Sequence, residues 1–148
     1  MPHRITADSV FRDNLLPLNC QRHPAHSDSP LHSHEFHELV IVLAGHGLHR
    51  TRTEEYPIEA GLVFLIRDRM EHGYANVKDL SLVNVLFDPS RLDLPMALLR
   101  DLPGYHALFR IEPRLRRHTR AQGRLQLTQE ELSEVAGMVD RLHDELHR

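Results

Sequence analysis

At 148 residues the chain has room for one domain with one sizeable core. A hydrophobic share of 41%, a charged share of 26% and a net charge of −3 are ordinary for a soluble globular chain, and they give the domain itself no electrostatic case for binding nucleic acid. A single cysteine, Cys20, excludes an internal disulfide and suits a reducing cytoplasm. The start, Met1-Pro2-His3-Arg4, has no apolar signal-peptide core, and no apolar run approaches a membrane span, so the expected location is cytoplasmic. Thirteen histidines are many, but the count alone argues for neither metal nor pH sensing.

Residues 1–30 read as an N-terminal arm and a first strand, irregular or weakly extended, with Phe11, Leu15, Leu16 and Leu18 able to tack the arm onto the body. His23 to Pro30 is rich in turn formers. Leu39 to Leu43 is a continuous apolar run, hence a strand buried on both sides. Gly45-His46-Gly47 reads as hairpin punctuation, with Leu48 to Thr53 as the return strand and a turn at Glu54–Pro57. Leu62 to Ile66 is a second buried strand, Arg67–Glu71 a charged loop, His72 to Ala75 a short extended piece and Lys78-Asp79 a turn. On the strand Leu80 to Phe87, Leu82, Asn84 and Leu86 share one face while Ser81, Val83, Val85 and Phe87 share the other. Short strands between turns, with no helix among them, argue for an all-β sandwich or barrel over residues 31–127.

The pattern then changes. Ser90–Arg100 is helix-like, with Leu92, Met96 and Leu99 along one side and Pro95 against it. Ala107–Glu112 and Arg124–Leu127 read as further short strands around a basic loop, Arg114 to Arg120. Thr128 followed by Glu131 is a capping box and opens a helix over residues 128–148. Along it Leu132, Val135, Val139, Leu142 and Leu146 recur at three- and four-residue steps, a seam ringed by charge. The bland reading is that this stripe packs on the chain's own barrel; dimerisation is the favoured one.

Two stretches carry chemistry. His32-Ser33-His34-Glu35-Phe36-His37-Glu38 offers imidazoles and a carboxylate, ligand types that suit Zn, Ni, Fe or Mn. In an extended chain His32, His34 and Glu38 share a face, but a flat strand would hold Glu38 roughly 13 Å from His34. A common metal therefore requires a sharp bend near Glu35–His37. The second stretch, Gly61 to Asn76, is a glycine, an apolar strand, a charged turn, His72 and Asn76.

These stretches resemble the two motifs of the cupin superfamily. The first motif is matched by His32, His34, Glu38 and Gly45 at the family spacing; the second is matched by Gly61, His72 and Asn76. Arg67 and Arg69 stand where the second motif has a proline and a glycine, and His26 stands where a glycine usually opens the first. The resemblance implies a mainly β fold, a cupin-like barrel (a double-stranded β-helix or jelly-roll) followed by C-terminal α-helices. It also implies that His32, His34, Glu38 and His72 occupy the positions that bind metal in metal-loaded cupins.

A barrel followed by a short helix near 90–100 and then an amphipathic helix resembles, over residues 15–148, the N-terminal ligand-sensing and dimerisation domain of AraC-type transcriptional regulators. The segments His34–Val42, Gly45–His49 and Asp79–Leu86 are most similar to rhamnose-responsive members. That likeness implies a small effector, a rhamnose-like sugar, inside the barrel. It implies an N-terminal arm able to close over the effector and homodimers through the seam of Leu132, Val135, Val139, Leu142 and Leu146. DNA would be reached only through a separate domain outside this chain, making the chain a piece of a longer regulator, with no membrane partner.

A sugar site needs an apolar-walled cavity with a few convergent polar groups. Candidate ligand-binding residues are His32, His34, Glu38, His72, Tyr74 and Asn84. Tyr74 is more often a packing aromatic with its hydroxyl at the rim, and Asn84 could equally be a satisfied core amide. His37, His46 and His49 are most simply surface or turn residues, and Arg67 and Arg69 solvated turn charges. No catalytic residue is assigned and the chain is read as a non-enzyme. The competing functions are a metal-dependent cupin enzyme, an isomerase or dioxygenase, and a stand-alone cupin with a storage or scaffold role.

Overall fold

The computed structural model describes residues 2–12, 16–99, 101 and 123–148. Two strands of unusual length form its spine, β4 (His37–Thr51) and β7 (His72–Phe87), paired antiparallel along most of their length. The other described strands are β1 (His3–Ile5), β2 (Leu18–His26), β3 (Ser29–His34), β5 (Glu55–Glu59), β6 (Leu62–Ile66) and β8 (Arg124–Gln126). The described helices are α1 (Ala7–Phe11), α2 (Met96–Leu99) and α3 (Gln129–Leu146). All eight described strands join in one sheet that runs β1-β3-β7-β4-β6-β8, with β2 added to β7 and β5 to β4.

Each spine strand changes partner halfway. The first half of β4 pairs with β6, Glu38 to Ile41 facing Ile66 to Val63, and its second half pairs with β5. The first residues of β7 pair with β3 and the last with β2. The sheet thus curls so that one face becomes an interior. The fold is mostly β, of cupin type, with C-terminal helices.

The curl has a local cause, and it corrects the expected hairpin. Gly45-His46-Gly47 does not end a strand; it lies inside β4 where the register with β7 shifts repeatedly. Gly45 has φ +75, and a Cβ there would come 2.1 Å from the Asp79 carbonyl oxygen. Across from it Asn76 and Asp79 sit at φ 51 and φ 49, so the Lys78-Asp79 turn is likewise an irregularity within β7. Glycine supplies a left-handed, sterically empty position, and bulges bend a ladder without ending it. The real hairpin turn follows at Thr51–Glu54, where Thr51 N–H donates to the Glu54 carbonyl at 2.8 Å.

Parity along β4 separates two cores. Val40 and Val42 face inward with Phe64, Ile66, Tyr74 and Leu82. Ile41 faces outward with Val63 and Val83, where α3 covers it through Leu132 and Val139. Burying both faces explains the unbroken apolar run at 39–43. All five seam residues, Leu132, Val135, Val139, Leu142 and Leu146, belong to this outer cluster. The stripe read as a dimer seam therefore packs on the chain's own barrel, with Leu132 and Val139 buried and the other three half-buried. The capping box at Thr128 forms: Glu131 N–H donates to the Thr128 hydroxyl at 3.2 Å, and Thr128 N–H donates to the Glu131 carboxylate at 2.7 Å.

The N-terminal stretch is more ordered than expected. β2 is a nine-residue strand whose only described partner is β7, which is why it tolerates Pro24 and a polar sequence. β1 runs parallel to β3, with Ile5 opposite His34. Phe11 packs on Phe36 and Leu86 in a small third cluster. Ala107–Glu112 and Arg114–Arg120, expected as a strand and a basic loop, lie outside the described residues. Of the expected 90–100 helix, α2 covers Met96–Leu99 and follows Pro95.

Candidate functional site

β3 ends at His34 and β4 begins at His37, with a bend at Glu35-Phe36 between them. That bend removes the separation a flat strand would impose: His34 Nε2 lies 3.5 Å from a Glu38 carboxylate oxygen. Several contacts fix it. Glu35 N–H donates to the Ile5 carbonyl at 3.1 Å, and Arg69 N–H donates to the His34 carbonyl at 2.7 Å. The Glu35 carboxylate accepts from Ala7 N–H and pairs with Arg4 at 2.8 Å. The N-terminal arm and the 67–70 turn thus hold the corner that aims the two ligands.

His72 opens β7 and faces the same spot. His34, Glu38 and His72 are all buried, and one ligand atom from each lies within 4.8 Å of the others. Each histidine spends its Nδ1 elsewhere. His34 Nδ1 is 2.6 Å from the Phe36 carbonyl oxygen, and His72 Nδ1 is 3.3 Å from His49 Nε2. The Nε2 atoms of His34 and His72 have no hydrogen-bond partner among the described residues. Next to this group are further buried, unpartnered polar atoms: His49 Nδ1, the Tyr74 hydroxyl and Asn84 Oδ1. Asn84 faces inward as the diagonal neighbour of Glu38, since Val40 pairs with Asn84 and Glu38 with Leu86.

Burial sets the protonation states. Desolvation pushes the Glu38 carboxyl up to about 8 and His34 down to about 4. It pushes His49 down to about 3 and His72 further still, with the neighbouring histidines adding to the effect on His72. Tyr74 is driven up by burial, then by the Glu38 charge and Tyr56. All these shifts favour neutral forms, so the His34–Glu38 contact is not an ion pair near neutral pH. Two imidazole lone pairs and one carboxyl, enclosed and short of partners, form a two-histidine, one-carboxylate donor set. Such a set suits Fe(II) and related divalent ions and leaves coordination positions open.

The structure sorts the expected residues. His34, Glu38 and His72 come together. His32 does not join them: it is half-buried, its Nδ1 is 3.0 Å from the Pro30 carbonyl, and only its ring face approaches His72, at 4.3 Å between centroids. Tyr74 is buried with its hydroxyl inside rather than at the rim, and Asn84 is buried with its oxygen unbonded among the described residues. His49, expected at the surface, is fully buried and touches His72, which makes it the residue the sequence reading missed. No motif marks it; its one signal was position, two beyond Gly47 on a strand that the bend returns to the interior. A cleft of about 570 Å³ opens elsewhere, between β4, β5 and β7 near His46, Glu59 and Lys78, and none of the buried histidines lines it.

Comparison with known proteins agrees with this architecture. The model of the AraC-like ligand binding domain family matches residues 20–148. The HTH-type transcriptional activator RhaR of Mannheimia succiniciproducens is 29% identical over 142 residues, 96% of this chain and 46% of that protein. RhaR of Enterobacter sp. is 44% identical over 75 residues, 51% of this chain and 27% of that one. The chain spans less than half the length of these curated relatives. Among solved structures, apo ToxT of Vibrio cholerae superposes with TM-score 0.54 at 12% identity, covering 84% of this chain and 46% of its own, a likeness of fold alone. The match over residues 20–148, on a cupin-type barrel with C-terminal helices, places this chain in the AraC-like ligand-binding domain family.

Proposed function

We propose that this domain senses a small polar metabolite, a sugar of rhamnose-like type, in the barrel interior around His34, Glu38, His72, Tyr74 and Asn84. The observation that carries the reading is the set of unpartnered buried polar atoms on His34, His72, His49, Tyr74 and Asn84. Each such group costs about 1–3 kcal/mol if it stays unpaired, a cost a ligand rich in hydroxyls would relieve. The donor set of His34, Glu38 and His72 also fits a divalent metal, which would supply a Lewis-acidic centre for sugar oxygens; His32 stands beside it as an outer residue.

The chain acts as a non-enzymatic part of a cytoplasmic regulator. On this reading residues 1–30, which carry β1, α1 and β2, serve as the arm and the entry to the barrel, the described part of 31–127 as the sensing barrel and 128–148 as the final helix. Effector binding shifts a population of arm and helix arrangements, and a separate DNA-binding domain reads the shift. Homodimers use what the barrel leaves of α3: Val135, Leu142 and Leu146 are half-buried and keep surface for a second copy. Among the described residues no helix is long and apolar enough to cross a membrane.

Thermal-shift screening of aldoses, with and without chelator, tests this. One sugar raising the melting temperature supports a sensor, and loss of that shift with chelator puts the metal in the site. A flat response to every aldose sinks the sugar reading. The second reading, a metal-dependent isomerase or dioxygenase, is favoured by the open two-histidine, one-carboxylate set; turnover or oxygen consumption by metal-loaded protein would establish it.

A further inference from the structure

We propose that His49 is the positioning residue of the site: its ring nitrogen hydrogen-bonds His72 Nδ1 and thereby aims His72 Nε2 at Glu38 and His34. The inference rests on the metal reading for its consequence, not for the bond itself. His49 is fully buried in the second half of β4, opposite Tyr74 in register. Its Nε2 lies 3.3 Å from His72 Nδ1. Its ring packs against Phe64 and Tyr56, with centroids at 4.7 and 5.1 Å.

The two site histidines are thus held by different devices. His34 is anchored by a main-chain carbonyl two residues away. His72 has no such carbonyl and leans on a side chain from another strand. A histidine that ligates a metal through Nε2 must carry its proton on Nδ1, and that N–H needs an acceptor. In the loaded state His49 Nε2 is that acceptor, and the proton of His49 sits on Nδ1. The bend at Gly45 brings the second half of β4, and with it His49, back to the site.

The test uses the whole chain labelled with 15N at histidine, in chelator and then with one equivalent of Zn²⁺. The expected result is a through-hydrogen-bond 15N–15N coupling between His49 and His72 in both samples, with the His72 proton on Nδ1 once zinc is bound. Zinc titration of His49→Leu should show affinity lower by roughly 10–100-fold, and His49→Gln, whose amide oxygen can accept, should recover most of it. A missing coupling, or His49→Leu binding zinc as the wild type does, overturns the proposal. Wild-type protein that keeps the coupling but binds no zinc supports the His49–His72 bond and rejects the metal. Should His49→Leu fail to fold, the wild-type spectrum still decides.

Discussion

The His34 imidazole is fixed from two sides by Phe36. Its Nδ1 lies 2.6 Å from the Phe36 carbonyl oxygen, and its ring stacks on the Phe36 ring at 4.6 Å and 8°. A carbonyl can only accept, so the proton of His34 is on Nδ1 and its Nε2 lone pair points at Glu38. Burial keeps the Glu38 carboxyl protonated opposite that lone pair near neutral pH, so Glu38 decides the charge of the site.

Glu38 gives the site a pH signature. Its carboxyl ionises near the ordinary 4.5 in the unfolded chain and near 8 when folded, because burial disfavours the anion. Stability from the neutral acid is complete below about pH 4.5 and is lost as pH rises toward 8. His34 acts in the opposite sense: with its folded value pushed down to about 4, it costs stability as pH falls below 6.5. Glu38→Gln, which keeps the shape without titrating, should stabilise chelated protein by more than about 1.4 kcal/mol at pH 8.5, the equivalent of one pKa unit, and by far less at pH 5. Adding zinc should reverse the trend for the wild type, because the metal requires the carboxylate. Denaturation midpoints across pH check this, and a difference between the two proteins that ignores pH would rule out Glu38 as the titrating group.

Arg69 carries a cost that the fold imposes. It stands where the cupin motif has glycine, at φ 63, while its N–H anchors the His34 carbonyl. The left-handed region costs a non-glycine residue roughly 1–2 kcal/mol, against about 0.5–1 kcal/mol of extra unfolded-state entropy for glycine. The side chain is exposed, and its contact with Asp68 is 3.9 Å, too loose to matter. Arg69→Gly should gain roughly 0.5–1 kcal/mol with an unchanged denaturant slope. A destabilised variant would mean that the arginine side chain holds the turn by itself.

Much of this was legible from residue order, for identifiable reasons. The apolar runs at 39–43 and 62–66 and the alternation at 80–87 are direct consequences of which faces are covered, and they map onto β4, β6 and β7. The capping box at Thr128 is local chemistry and forms as written. Gly45-His46-Gly47 misled because a left-handed glycine serves a bulge within a strand as well as a hairpin turn. His32 and His49 departed from expectation for separate reasons. Motif spacing placed His32 in the site, but its half-exposed ring turns to Pro30, while the bend in β4, which no spacing rule encodes, buries His49. The stripe on α3 was read correctly as apolar, yet periodicity does not say whether a barrel or a second helix covers it.

That ambiguity can be resolved by mutation along α3. Leu132 is buried against the barrel in the same cluster as Ile41 and Val83, so Leu132→Ala should cost about 2–4 kcal/mol. Met138 is 56% exposed, and Met138→Ala should change stability by less than about 0.5 kcal/mol. Leu146→Glu touches a half-buried position near the helix end and should weaken association more than folding. Sedimentation velocity beside urea titration separates the two effects. Leu132→Ala dissociating a dimer without loss of stability would return the stripe to the partner and take it from the barrel.

Tyr74 exposes the conflict between stability and recognition. The ring belongs to the inner core with Leu80 and Leu82, yet the hydroxyl is buried with no partner among the described residues. An unpaired buried hydroxyl costs about 1–3 kcal/mol, so removing it while keeping the ring relieves that cost and breaks no hydrogen bond in the ligand-free state. Tyr74→Phe should therefore leave the ligand-free protein as stable as the wild type or raise its melting temperature. If the hydroxyl exists to meet an effector, the same change should weaken the aldose that shifts the wild type by at least roughly tenfold, since a site polar group left without its mate discriminates strongly. The pair of measurements is informative because a purely structural tyrosine would behave oppositely: the variant would melt earlier and bind as before. That outcome would remove Tyr74 from the sensing surface and leave His34, Glu38, His72 and Asn84 to define it.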